Sequence, residues 1–160
     1  MKAAPLAGPN VMKVALWAGL LVGTLDIADA LVFYGFRGVP ATRILQGIAF
    51  GLIGNSAFTL GTRSVILGLC LHYFIAITVA AVYMLASLSL PLRHQPWLFG
   101  TLYGIAVYTV MNYMVLPLSH VGLRPIPAWI SLVNGIGALI FLVGIPIALI
   151  ARRYLSPRHS

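Results

Sequence analysis

Residues 65–90 read VILGLCLHYFIAITVAAVYMLASLSL: no Lys, Arg, Asp or Glu, and a single histidine, His72. As an α-helix rising 1.5 Å per residue, this stretch exceeds the ~30 Å hydrocarbon core of a bilayer. Within lipid every backbone N–H and C=O must find a partner inside its own segment, so a run of this length and apolarity is a membrane-spanning helix. Three further runs have the same character: Val14 to Tyr34, Trp97 to Leu118, and Ala128 to Ala151, the last ended by Arg152 and Arg153. Residues 1–12, with Pro5 and Pro9, read as an unstructured tail.

The whole chain agrees. Its 160 residues are 61% hydrophobic and 8% charged, against roughly 25% charged in soluble domains. That excludes a water-soluble enzyme, a disordered chain and a conventional nucleic-acid binder. At about 20 residues per span there is room for four or five spans in one membrane domain, 1–160. The net charge of +8 lies mainly in the connections, as expected where cations flank spans. Cys70 is the only cysteine and reads as a small buried hydrophobe, which excludes a disulfide framework. His72, His94, His120 and His159 lack zinc-site spacing, and no phosphate-binding or nucleophile motif is present. No metal or cofactor is expected, and the site list contains no catalytic residue. Ala28-Asp29-Ala30 imitates a leader cleavage site, but the run continues through Leu31-Val32-Phe33-Tyr34, so the sequence reads as retained.

The segment 35–64 is ambiguous. Pro40 can open a helix, and Ile44, Leu45, Ile48, Ala49, Leu52 and Ile53 recur at helical spacing. Arg43, Gln46, Asn55 and Ser56 make it polar for a span. It reads as an interfacial helix, a re-entrant segment or a fifth span. Counting cations does not separate these. Four spans place Lys2, Lys13, Arg93, Arg152, Arg153 and Arg158 inside, and Arg37, Arg43, Arg63 and Arg124 outside. Five spans give the same six-to-four split, with Arg37 and Arg43 replacing Lys2 and Lys13 inside. Either count puts the C-terminus in the cytoplasm. Four spans are preferred, because an arginine near the bilayer centre costs about 2.5–3.5 kcal/mol.

Two patterns suggest how the helices meet. Gly19/Gly23, Gly47/Gly51 and Gly100/Gly104 are small residues four apart, which let another backbone approach closely, within the bundle or between copies. The second pattern is depth. With each run's midpoint taken as the bilayer centre, Asp26, Asp29, His72, Asn112 and Asn134 fall on one side of it, each within about 8 Å. Asp26 and Asp29 share a helix face. Arg43, Gln46 and Asn55 attach at that end as candidate counter-charge or loop contacts. Ionisable groups at such depth are costly unless paired or hydrated. They either satisfy one another and fix helix register, or form a proton or solute path.

Several pieces of the string together resemble the YagU-like group of bacterial inner-membrane proteins. They are Gln46-Gly47-Ile48-Ala49, Leu71-His72-Tyr73-Phe74-Ile75-Ala76, Met111-Asn112, Val115-Leu116-Pro117-Leu118-Ser119 and Gly144-Ile145-Pro146-Ile147-Ala148. The resemblance implies a four-helix inner-membrane protein and brings no established activity. It singles out His72, Asn112 and Gln46. Members often carry a histidine in the last helix, where this chain has Asn134.

The expectation is therefore an all-α, multi-pass four-helix membrane bundle with an interfacial or re-entrant segment between the first two spans. It lies in a bacterial inner membrane, with lipid and a second copy or another membrane protein as partners and no nucleic acid. A non-enzymatic role leads. A small transporter or proton conductor using Asp26, Asp29 and His72 is the alternative, followed by an enzyme acting on a lipid.

Overall fold

The structure is a computed structural model and describes residues 9–123 and 128–155. The charges expected at Lys2, Arg124 and Arg158, and Pro5 of the expected tail, lie outside these residues. Five helices follow one another: α1 (Pro9–Gly35), α2 (Ala41–Ile53), α3 (Thr62–Ser89), α4 (Pro96–Leu118) and α5 (Trp129–Leu155). All but α2 are long and apolar enough to cross a membrane. The fold is an all-α helical bundle with four candidate spans.

The ends differ from expectation in two places. Helix α1 begins at Pro9, so the tail assigned to residues 1–12 is already helical over its last part. Proline suits a first turn because the N–H it lacks would have no partner there. Helix α5 runs past Arg152 and Arg153 to Leu155. Cations in a last turn oppose the negative end of the helix dipole, so they extend the helix. Arg93, in the α3–α4 connection, donates to the Leu155 carbonyl and closes that end.

Helix α2 has 13 residues, about 20 Å, which is too short to span. Pro40 precedes its first turn, and a 3-10 turn, Gly54–Phe58, follows it. It lies against the start of α3, where the Leu45 carbonyl occupies the space a side chain on Gly68 would need.

Both α4 and α5 contain a π-turn, over Met111–Val115 and Leu139–Gly144. Each lies just ahead of a proline. Pro117 and Pro146 have no N–H for the carbonyl four residues back, and the ring collides with it. Widening the turn relieves that collision and keeps the helix continuous.

Small residues bring the spans together. Gly19 meets the backbone of Ile77, and a Cβ on Gly23 would stand 2.9 Å from that of Ala76. Gly100 would meet the Ile145 Cα at 2.8 Å, and Gly104 the Ile140 Cα at 2.7 Å. By contrast nothing lies within 4 Å of a Cβ on Gly47, and Gly51 makes ordinary contact with Ser119. Cys70 is exposed rather than buried, because the α3 surface it occupies faces outward.

The core is concentrated at one end. Val11, Ala15, Ala18 and Val22 of α1, Ala80, Tyr83 and Met84 of α3, and Val143, Ile147, Ala148 and Ala151 of α5 bury one another. The second half of α5 packs on α1, α3 and α4, whereas its first half makes few close approaches to α1 or α3. No residue of Trp129–Ala138 or of Met111–Leu118 is buried. The bundle is closed at the end bearing Val11 and Ala151; toward the other end α4 and the first half of α5 part from α1 and α3, while α2 packs on α3 there and Ala49, Ala57 and Ser64 are buried. Helices α3 and α4 also stand apart, bridged by Tyr103, whose hydroxyl donates to the Val79 carbonyl at 2.7 Å and whose ring meets Tyr83 edge-on at 4.9 Å.

Candidate functional site

Five polar side chains of the spans, Asp26, Asp29, His72, Asn112 and Asn134, lie in the open half. Asp26 follows Gly19 by seven residues and Val22 by four, so it shares the inward face of α1. Asp29 lies one turn further along. Both are half-buried, as are His72, Asn112 and Asn134. Gly23 faces Tyr73, Tyr83 meets Tyr103, and Asp29 meets Asn134. Counting along the antiparallel helices from these pairs places all five residues within about 10 Å along the bundle axis.

Only some of them touch. The Asn134 side-chain amide donates to Asp29 Oδ2 at 2.8 Å. Asp26 lies within charge–charge range of His72 and of Asp29. His72 Nε2 lies 2.7 Å from the Gly23 carbonyl. A carbonyl only accepts, so this nitrogen carries the hydrogen and, in the neutral ring, Nδ1 is the free acceptor. Asn112 stays within α4, donating to the Tyr108 carbonyl at 3.0 Å where the π-turn begins.

The residues of the α2 end do not supply a counter-charge to the acids. The Arg43 guanidinium lies over the Phe58 ring, 3.8 Å from its centre, and Arg37 lies over Phe33 at 3.7 Å. Such stacking holds a cation on an aromatic face. The Gln46 amide reaches the Gly61 carbonyl at 3.5 Å, and Asn55 is exposed in the 3-10 turn. Among the described residues neither carboxylate is bonded to a lysine or arginine, and no three metal-ligating side chains converge.

Some contacts that shape this end escape side-chain pattern reading. Thr24 donates to the Leu20 carbonyl and shares a hydrogen bond with the Tyr73 hydroxyl at 2.9 Å. The His120 N–H donates to the Gly51 carbonyl at 3.0 Å, latching the α4–α5 connection to the end of α2. Gly68 lies outside the three glycine pairs, yet it makes one of the tightest helix contacts.

Chemically, the arrangement can hold one or two negative charges or their protons at span depth. It places an imidazole beside them and a neutral amide to orient one carboxylate. Comparisons with protein-family models, curated proteins and solved structures found no match.

Proposed function

We propose that the chain is a non-enzymatic multi-pass protein of a bacterial inner membrane, and that it works as a small transporter or proton conductor through Asp26, Asp29 and His72. The observation that carries this reading is that two carboxylates stand in the open half of a membrane bundle, and among the described residues the one hydrogen bond to them comes from a neutral amide. Residues that merely fixed helix register would be expected to neutralise one another. Here Arg43, the arginine expected as a counter-charge, is stacked on Phe58, and the ionisable partner beside Asp26 is the imidazole of His72. Carboxylates in such a place take up and release protons or cations.

The non-enzymatic part draws support from the hydroxyls at this end. Thr24 and Ser119 donate to the Leu20 and Leu116 carbonyls instead of facing an acid or imidazole. Lys13, Arg93, Arg152 and Arg153 share the closed end, and the positive-inside tendency supports a cytoplasmic C-terminus. Kinship with the YagU-like group rests on the residues quoted for it.

The test is proton uptake by liposomes containing the purified protein and an internal pH dye. The wild type conducts, and Asp26→Asn or Asp29→Asn lowers the rate about tenfold or more, the effect of about 1.4 kcal/mol. Equal rates in wild type, variants and empty liposomes contradict the proposal.

A further inference from the structure

The two acidic side chains of the sequence, Asp26 and Asp29, both lie in the open half. Lys13, Arg93, Arg152 and Arg153 lie at the closed end. Asp26 stands about 20 Å further along α1 than Lys13, so no acidic side chain reaches these cations. The Arg93 guanidinium donates to the Leu155 carbonyl, which holds it against the last turn of α5, the turn that carries Arg152 and Arg153. Like charges gathered in this way repel unless an anion offsets them. The helix dipoles do not supply it. Helices α3 and α5 end here while α1 and α4 begin here, and their opposed ends largely cancel.

The arginines of the other end are engaged differently: Arg37 and Arg43 lie on the Phe33 and Phe58 rings. Arg152 and Arg153 are exposed, and Arg153 stands 5.9 Å from the centre of the Tyr154 ring. One N–H group of Arg93 meets the Leu155 carbonyl, and its other donors have no partner among the described residues. Exposed aromatic side chains mark the level of these cations. Trp17 follows Lys13 by one turn, Trp97 follows Arg93 by four residues, and Tyr154 is next to Arg153. Such side chains sit where headgroups meet hydrocarbon, which puts the cations at the level of lipid phosphates.

We infer that the closed end binds the headgroup of an anionic phospholipid, its phosphate held by Arg93, Arg152 and Arg153, with Lys13 adding charge. Charge complementarity selects the occupant. The guanidinium fork matches phosphate oxygens, and clustered cations beside a span attract anionic headgroups. A zwitterionic lipid brings its own ammonium and leaves the excess positive charge uncompensated. The site is separate from Asp26 and Asp29 and does not rest on the transport reading.

The test uses the full-length protein with Trp17→Phe and Trp129→Phe, so that Trp97 is the one tryptophan. It is placed in liposomes mixing phosphatidylglycerol and phosphatidylcholine, with brominated acyl chains on one lipid at a time to quench Trp97 fluorescence. Phosphatidylglycerol is preferred about fivefold or more, the worth of one cation at an anionic surface. Arg152→Gln with Arg153→Gln brings the preference toward unity. Arg37→Gln with Arg43→Gln changes the net charge equally and leaves the preference in place. Equal quenching by the two lipids, or a preference that survives at Arg152→Gln with Arg153→Gln, overturns the assignment. Loss of the preference in inorganic phosphate at matched ionic strength would make the ligand a free anion and overturn it too. So would displacement of the lipid by polyglutamate, which would mark a surface for an acidic protein.

Discussion

The side-chain amide of Asn134 donates to the carboxylate of Asp29 at 2.8 Å, joining the first span to the last across 105 positions of sequence. Among the described residues it is the side-chain hydrogen bond that links α1 to the diverging half of α5. Hydrogen bonds between membrane helices contribute about 0.6–2 kcal/mol. Asn134→Leu lowers stability by that amount in detergent unfolding. The exchange Asp29→Asn with Asn134→Asp recovers most of the loss, because the donor–acceptor pair is restored with its roles reversed. A double-mutant cycle with no coupling between the two positions would contradict the bond.

Gly68 and Gly47 give opposite outcomes for the same substitution. The Leu45 carbonyl fills the site of a side chain at Gly68, while nothing lies near Gly47. Gly68→Ala must push α2 away from α3 and costs about 1–3 kcal/mol, as overpacking does. Gly47→Ala is neutral or stabilises α2 by up to about 1 kcal/mol through helix propensity. Thermal unfolding of both variants in one detergent compares them directly.

Arg93 holds the last carbonyl of α5. Arg93→Ala leaves that end to fray, with a loss of about 0.3–1 kcal/mol, the usual worth of a cation at a helix C-terminus. Hydrogen exchange at Arg153 and Tyr154 accelerates, while exchange at Ile147 stays slow. Arg93→Lys retains part of the protection.

The spans were legible because a span depends on the composition of a continuous stretch, and residues 65–90 contain no acid or arginine to interrupt them. The level of the polar residues relative to one another follows from the same arithmetic, since helix rise converts sequence position into height along the bundle. What α2 does was not. Arg43 counted as a charge to be paid for near the bilayer centre, yet it lies on Phe58, and the helix is too short for the question to arise. The partner of His72 was hidden because it is a backbone carbonyl, which no side-chain pattern records. The parting of the helices arises where α5 meets α1 and α3 in its second half only, a relation between distant segments. Pro117 and Pro146 did mark the π-turns, and reading each proline against the carbonyl four residues earlier would have found them.

The open half makes the most direct claim, and labelling with a membrane-impermeant maleimide tests it. Single cysteines at positions 26, 29, 72 and 134, in a Cys70→Ser background, react from the side of the membrane opposite the C-terminus. Cysteines at positions 18, 80 and 148, within the closed core, stay unlabelled in the folded protein. Protection of all four polar positions would mean that water does not reach the carboxylates, and would contradict the open cleft on which the transport reading depends.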